Sequence, residues 1–371
     1  MKGTPLDDGE AVELLTRLVE AYAPSGREEP VARLLVEFFE GRGVRCERDG
    51  VGNVLAAVGS GSPHLLLSSH MDTIPGELPF EATNEVVKGR GAVDCRPALA
   101  AMAVATVNFS RQFPEGAGRV TFAGVVREED SLEGILHFFQ NHPEAPDFAV
   151  FGEPTRVDRL CVAYKGRVWV RLKVTTETGH VAACWKYKNA IEEFFAAWEA
   201  IRRACGEHRG ASPFYQVTPT LATVSGGRLS NAVPAECSGD VDLRIPPQVD
   251  AERFRDRVDE VLNSLAAERG VEVERSYESV VPGYRAPAGH PAVRAFVEAI
   301  GEATGSPGKL LRKTGTCFTN LIGYHYGVPC VTYGAGDPRL EHTDREEVEV
   351  GEYLRSIATY GAFFSKFFAG G

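Results

Sequence analysis

The sequence has no apolar run approaching the ~20 residues that a membrane-spanning helix needs. Its opening, MKGTPLDDGEAVELL, is acidic and lacks the basic and apolar regions of a signal peptide. These two features read as a cytoplasmic chain without membrane association. Positive charge is not in excess either. Forty Lys and Arg stand against 51 Asp and Glu, a net charge of -11. That balance speaks against non-specific binding to nucleic acid, although a local pocket of an acidic protein can still be basic. The eight cysteines include no CxxC pair, which argues against a zinc ribbon or a secreted disulfide scaffold. Most read as small buried apolar residues. Glutamine is scarce, at Gln112, Gln140, Gln216 and Gln248, beside abundant Arg and Glu. This composition leans towards a thermophile and leaves intracellular disulfides open. Internal repeats and low-complexity segments are missing.

What remains is an ordinary globular composition, 43% apolar and 25% charged over 371 residues. Length alone suggests about two domains. Apolar spacing near 3.6 predicts helices over 10–23 and 29–43. Ser25 is a candidate cap for the helix starting near Glu28. Apolar runs bounded by turn signals at 51–58, 64–69, 119–126 and 147–151 read as buried strands of a mostly parallel sheet. Residues 97–112 read as a helix with Pro97 in its first turn.

The pattern changes near residue 163. A strand at 165–176, a helix at 188–206, strands at 217–225 and 235–245, a helix at 250–268 and a strand at 271–278 follow in order. That βαββαβ order is the ferredoxin-like unit, read here as an inserted α+β domain over 163–284. From about 290 the α/β pattern returns, with a helix at 291–304, a strand at 328–334 and a terminal helix at 350–369. The first domain is therefore expected to be discontinuous, 1–162 plus 285–371.

The residues that can carry chemistry sit just after apolar runs. LLLSSHMDT places His70 and Asp72 after one strand, VVREED places Glu128 and Glu129 after another, and AVFGEPT places Glu153 after a third. In open α/β sheets, ligands bind outside the carboxyl ends of the strands. One rim would therefore collect a histidine and several carboxylates, donors suited to Zn²⁺ or a similar divalent ion. Each piece alone has an ordinary explanation. An HxD pair occurs by chance, Asp94 after GRGAV caps helices, paired glutamates are solvated surface, and EHTD at 341–344 is a loop. The ordered combination is far more specific.

Taken together, SSHMDTIPG, GRGAVDCRPALAAM, REEDSLEG, GEPT, TGHVA, SGGRLSNAVPAECSGDVDLR, KTGT and YGAGDPRLEHTDREEV resemble the di-zinc family of aminoacylases, acetylornithine deacetylases and succinyl-diaminopimelate desuccinylases. The resemblance spans nearly the whole chain. It implies a mostly parallel-sheet α/β peptidase domain with a ferredoxin-like dimerisation or lid domain. It also implies a homodimer and two divalent ions per subunit, Zn²⁺ with Co²⁺ as the alternative. By this resemblance His70 and Glu153 bind one ion, Glu129 and His342 the other, and Asp94 bridges both. Asp72 would fix the tautomer of His70, Glu128 would be the general base, and His180 would stabilise the oxyanion in a partner subunit's site. Asn231 and Arg244 match positions for substrate contact and lid structure. The chemistry suits these residue types, because two dications repel and need a bridging carboxylate. A free carboxylate beside them can move a proton to the leaving amine.

Within that family, YKGR at 164–167 and LRKTGT at 311–316 resemble hydrolases that release lysine or ornithine from the C-terminal glutamyl side chain of a small acidic amino-group carrier protein. Lys165, Arg167, Arg312, Lys313 and Thr316 would then face substrate, the basic ones by charge attraction. Two positions depart from the family pattern. Asp94-Cys95-Arg96-Pro97 stands where Asp-Ala-Lys-Gly is common, and Cys317-Phe318 stands where Ser-Asp follows the Gly-Thr. An N-acyl-amino-acid deacylase, a small-peptide exopeptidase and an inactive dimeric binding protein are the competing readings.

Overall fold

The computed structural model describes residues 3–369. The first stretch supplies helices α1 (Asp8–Glu20), α2 (Glu29–Glu40), α3 (Arg96–Gln112) and α4 (Glu133–Asn141). Its strands are β1 (Cys46–Arg48), β2 (Val54–Ser60), β3 (His64–His70), β4 (Glu81–Ala82), β5 (Val86–Lys88), β6 (Gly118–Val125), β7 (Phe148–Gly152) and β8 (Arg159–Tyr164). The middle stretch supplies β9 (Gly166–Thr175), α5 (Ala190–Gly206), β10 (Thr218–Gly226), β11 (Glu236–Ile245), α6 (Ala251–Arg269), β12 (Glu272–Val281) and β13 (Tyr284–Arg285). The last supplies α7 (Pro291–Thr304), β14 (Lys309–Lys313), α8 (Phe318–Tyr326), β15 (Cys330–Thr332), β16 (Glu347–Glu349) and α9 (Val350–Phe367). The chain divides into two compact units. The first comprises the chain up to Val162, Ala286–Leu311 and the chain from Cys317; the second comprises Ala163–Arg285 and Arg312–Thr316.

In the first unit the sheet runs β1-β2-β6-β3-β7-β15-β8. Its centre is parallel: β3 pairs with β6 and β7, and β15 pairs with β7, all in the same direction. The flanks are antiparallel, including β2, one of the apolar runs read as strands of a mostly parallel sheet. The central strands are buried along nearly their whole length, as strands covered on both faces must be. Helices α1, α3, α7 and α9 pack on one another. Every residue of α3 from Arg96 to Phe109 is buried; its alanine-rich ALAAMAVA run lets neighbouring elements approach closely. Local signals set the helix ends. Asp7 and Glu10 form a reciprocal capping box at α1, and Pro97 lies in the first turn of α3. Ser25 does not cap α2. The cap position is Glu28, without a side-chain bond, and the Ser25 hydroxyl donates instead to Asp72 Oδ2 at 2.7 Å.

The second unit has the antiparallel sheet β10-β11-β9-β12, the strand order of a ferredoxin-like βαββαβ unit. Val168, Val170, Leu172 and Val174 of β9 form its core with Val241 and Leu243 of β11, Phe194 and Ile201 of α5, and Phe254, Val258 and Leu262 of α6. Asp250 caps the start of α6, and Gly270 ends it in the left-handed region at φ 57°. Helices α4 and α8 and the short strands β1, β4, β5, β8, β13, β14 and β16 were not evident from the spacing of apolar residues. All eight cysteines are free thiols. Among the described residues no helix is long and apolar enough to cross a membrane.

Candidate metal centre

The parallel strands aim their carboxyl ends at one rim, and the loops there carry the donors. His70 is the last residue of β3, Glu128 and Glu129 follow β6, and Glu153 follows β7. Asp94 lies two residues before α3, joined to Cys95 at the helix's cap position by a cis peptide. His342 lies ten residues beyond β15, in the left-handed region at φ 61°.

These residues converge. His70 Nε2 is 3.1 Å from Asp94 Oδ1 and 3.6 Å from Glu153 Oε1. His342 Nε2 is 3.1 Å from the other oxygen of Asp94, Oδ2, and 3.0 Å from Glu129 Oε1. One carboxylate thus offers one oxygen to each histidine, the arrangement a bridging ligand requires. The adjacent glutamates diverge to different donor sets. Glu128 groups with His70 and Glu153, whereas Glu129 groups with Asp94 and His342. Cys95 Sγ also lies within ligating distance of His70 and Asp94, a neighbour that had been read only as a departure from the family pattern.

Asp72 is fully buried behind His70. Its Oδ1 lies 3.3 Å from His70 Nδ1, and its own carbonyl lies 3.1 Å from the same nitrogen. The carboxylate also accepts from the backbone N–H of Glu128 at 3.1 Å and of Glu129 at 3.0 Å. One side chain therefore orients a histidine and the segment carrying two glutamates. Arg96 is wholly buried; it donates to the carbonyl of Leu18 at 3.1 Å and to that of Met71, between His70 and Asp72.

The electrostatics follow from this crowding. Burial pushes the Glu128 carboxyl up to about 8; Glu129, Asp72 and Asp94 add to the rise while His70 opposes it. Glu153 is raised well above the usual range by burial and by Asp94. His342 is raised to about 10 by its hydrogen bonds to Asp94 and Glu129. Burial opposes charge on His70, yet Cys95, Asp72 and Asp94 outweigh it and raise its pKa well above the ordinary value. Acceptors crowded in this way are relieved by taking up protons, as these shifts indicate, or by cations between them. Hard carboxylates and borderline imidazoles fit divalent ions such as Zn²⁺.

The remaining expected residues belong to the second unit. His180 is exposed and precedes a short 3₁₀ turn, its Nδ1 accepting from the Ala182 N–H at 3.1 Å. Asn231 is exposed, and its carbonyl accepts from Val181 N–H at 3.2 Å. Arg244 pairs with Asp242 at 2.7 Å and donates to the Thr316 hydroxyl at 3.2 Å. Thr316 in turn donates to the Lys165 carbonyl at 2.8 Å. Arg312 is exposed, 5.9 Å above the Tyr215 ring. Lys165 needs correction as a substrate contact. It is fully buried, and its ammonium donates to the carbonyls of Pro213 and Gln216 and to the Thr218 hydroxyl at 2.6–3.1 Å. Its three donors serve the fold. Arg167 is likewise engaged, 2.6 Å from Asp242 and 4.2 Å over the Trp169 ring.

A mostly parallel α/β sheet whose rim gathers two histidines and several carboxylates fits the class of metal-dependent amide hydrolases. The chain belongs to peptidase family M20/M25/M40, whose profile matches residues 66–366. It is 34% identical over 350 residues to a Pyrococcus furiosus protein provisionally named a LysW-lysine/LysW-ornithine hydrolase, covering 94% of each chain. It is 28% identical over 374 residues to the LysW-lysine hydrolase of Deinococcus radiodurans, covering 99% of this chain and 100% of that one. In fold it matches the crystal structure of aminopeptidase PepT from Bacillus cereus, with a TM-score of 0.81 at 20% identity over 98% of this chain and 99% of the other.

Proposed function

We propose that this hydrolase releases lysine or ornithine from the glutamyl end of a small amino-group carrier protein in amino-acid biosynthesis. The observation that carries this reading is the near-complete coverage of relatives named for that reaction, together with the converged donor set. His70, Glu153 and Asp94 would hold one ion, and Asp94, Glu129 and His342 the second, with Zn²⁺ favoured over Co²⁺ by the mixed imidazole and carboxylate donors. When bound, the ions supply Lewis acidity and lower the pKa of a water. Asp72 keeps the His70 ring in register. Glu128, at the rim and without an ion partner in the described structure, takes the proton of the attacking water and delivers it to the leaving amine. A biosynthetic enzyme of this kind belongs in the cytoplasm.

The second unit supports a homodimer. Its edge strand β10 is largely exposed, and Val224, Leu229 and Trp185 present apolar surface there and nearby. His180 would donate to the developing oxyanion in the partner's site. Arg312 and Lys313 would meet an acidic carrier, since Lys165 and Arg167 are engaged within the fold.

The deciding assay compares turnover of carrier-linked lysine and ornithine with that of acetylated amino acids and free dipeptides, in added Zn²⁺ or Co²⁺. Carrier-linked substrate should win, and its rate should fall as salt shortens the field to about 8–10 Å. Preference for acetylated amino acids, or turnover indifferent to salt, would replace the carrier with a small acyl substrate.

A further inference from the structure

Beneath the rim lies a buried ion pair that neither the family resemblance nor the donor set accounts for. Arg90 and Glu346 are 5% and 3% exposed, and Arg90 Nη1 is 2.5 Å from Glu346 Oε1. The sequence keeps them 256 residues apart, but the β5–β16 ladder sets Lys88 opposite Glu347. The two residues just beyond that ladder therefore meet. The backbone continues the contact, with the Gly89 N–H donating to the Glu346 carbonyl at 3.3 Å.

Each partner then reaches a different metal-ligand loop. The second carboxylate oxygen of Glu346 accepts from the N–H groups of Gly91 at 3.0 Å, Val93 at 3.2 Å and Asp94 at 3.3 Å. Three peptide groups leading into the bridging aspartate thus converge on one oxygen. Arg90 donates to the carbonyl of Thr343 at 2.9 Å and to that of Gly76 at 2.7 Å. Thr343 follows His342, which holds a left-handed backbone rarely adopted by a residue with a Cβ. Such a conformation persists only where its surroundings over-determine it, and the Arg90 contact is one of those restraints.

We propose that the Arg90–Glu346 pair is a positioning clamp that sets Asp94 and His342 relative to each other, so that the two oxygens of Asp94 face two ions at once. Neither residue is a ligand; both act through the backbone of ligands. The proposal rests on reading the rim as a two-metal centre. A buried clamp of this kind suits the task because it ties down several peptide groups without offering the ions a competing donor.

The test is a Co²⁺ titration of metal-free protein followed by visible absorption, with circular dichroism and thermal unfolding of the same metal-free samples. Wild type should bind about two equivalents; if it binds none, the metal reading itself fails and the clamp is not at issue. Glu346→Gln is nearly isosteric but presents an amide where Arg90 needs a carboxylate. It should stay folded without metal, bind Co²⁺ about 10- to 100-fold more weakly, as losses behind a metal ligand typically do, and shift the cobalt spectrum. Arg90→Lys keeps a cation against Glu346 but cannot span both carbonyls. It should weaken one equivalent more than the other, the one served by His342. A folded variant with native cobalt affinity and spectrum overturns the clamp. So does failure of both variants to fold without metal, which would make the pair an element of folding.

Discussion

Two regions of this molecule are crowded with charge, and they resolve it in opposite ways. On the sheet of the second unit, opposite charges are interleaved. Arg171 meets Asp240 at 3.1 Å and Glu278 at 3.3 Å, Lys173 meets Glu236 at 3.0 Å, and Arg167 and Arg244 share Asp242. That surface cancels itself. On the rim of the first unit, Asp94, Glu129 and Glu153 find only histidines within ion-pair distance in the described structure. There burial raises the Glu128 and Glu153 carboxyls, and the surrounding acidic groups raise both histidines. The difference separates a scaffold from a site: charge paired locally on a surface adds little to stability, whereas acidic groups crowded around two histidines suit a metal ion.

The sharpest way to break this comparison is to remove the shared rim carboxylate. Asp94→Ala should cost both ions, so that elemental analysis falls from about two per chain to none retained through gel filtration. Retention of either ion would show that Asp94 does not bridge. Next comes Glu128→Gln, which should lower kcat by ~10²–10⁴-fold with metal content unchanged; loss of an ion would make Glu128 a ligand, which its grouping with His70 and Glu153 makes a pointed question. His180→Ala asks whether the second unit is scaffold alone. A drop of ~10²–10³-fold in kcat is expected, with partial recovery when these chains are mixed with Glu128→Ala chains, because each mixed dimer carries one intact combination. No recovery despite measured subunit exchange would confine His180 to its own chain. The smallest effect belongs to the interleaved surface. Arg171 is 56% exposed, and Arg171→Ala should cost no more than ~1 kcal/mol in thermal unfolding with metal content and kcat unchanged.

How much of this could be read beforehand depends on where each residue sits. His70, Glu128, Glu129 and Glu153 were legible from the residues because each closely follows a buried apolar run, and strand ends converge by topology. His342 follows no such run at close range, so only the resemblance singled it out. Arg90 and Glu346 lie within stretches that carry the resemblance, but their pairing was not legible. They stand among Lys88, Asp344, Arg345 and Glu347, and a charged stretch gives no sign of which members turn inward. Lys165 was misread for the mirror-image reason. A lysine beside Arg167 looks like surface, and only the folded chain brings the acceptors of Pro213, Gln216 and Thr218 around it. Helix α8 escaped notice because FTNLIGYHY is only nine residues long, too short to display a periodic stripe.

The distribution of the rim ligands along the chain also orders events in time. A ribosome making this protein has released the codons for His70, Asp94 and Glu153 long before it reaches β15 and His342. His70, Asp94 and Glu153 are thus all translated within the first 153 residues, whereas His342 follows Glu153 by 189 residues. Strand β15 completes the parallel centre of the sheet equally late. A nascent chain that has passed Glu153 therefore already carries the His70, Glu128 and Glu153 cluster, whereas the Asp94, Glu129 and His342 cluster still lacks its histidine.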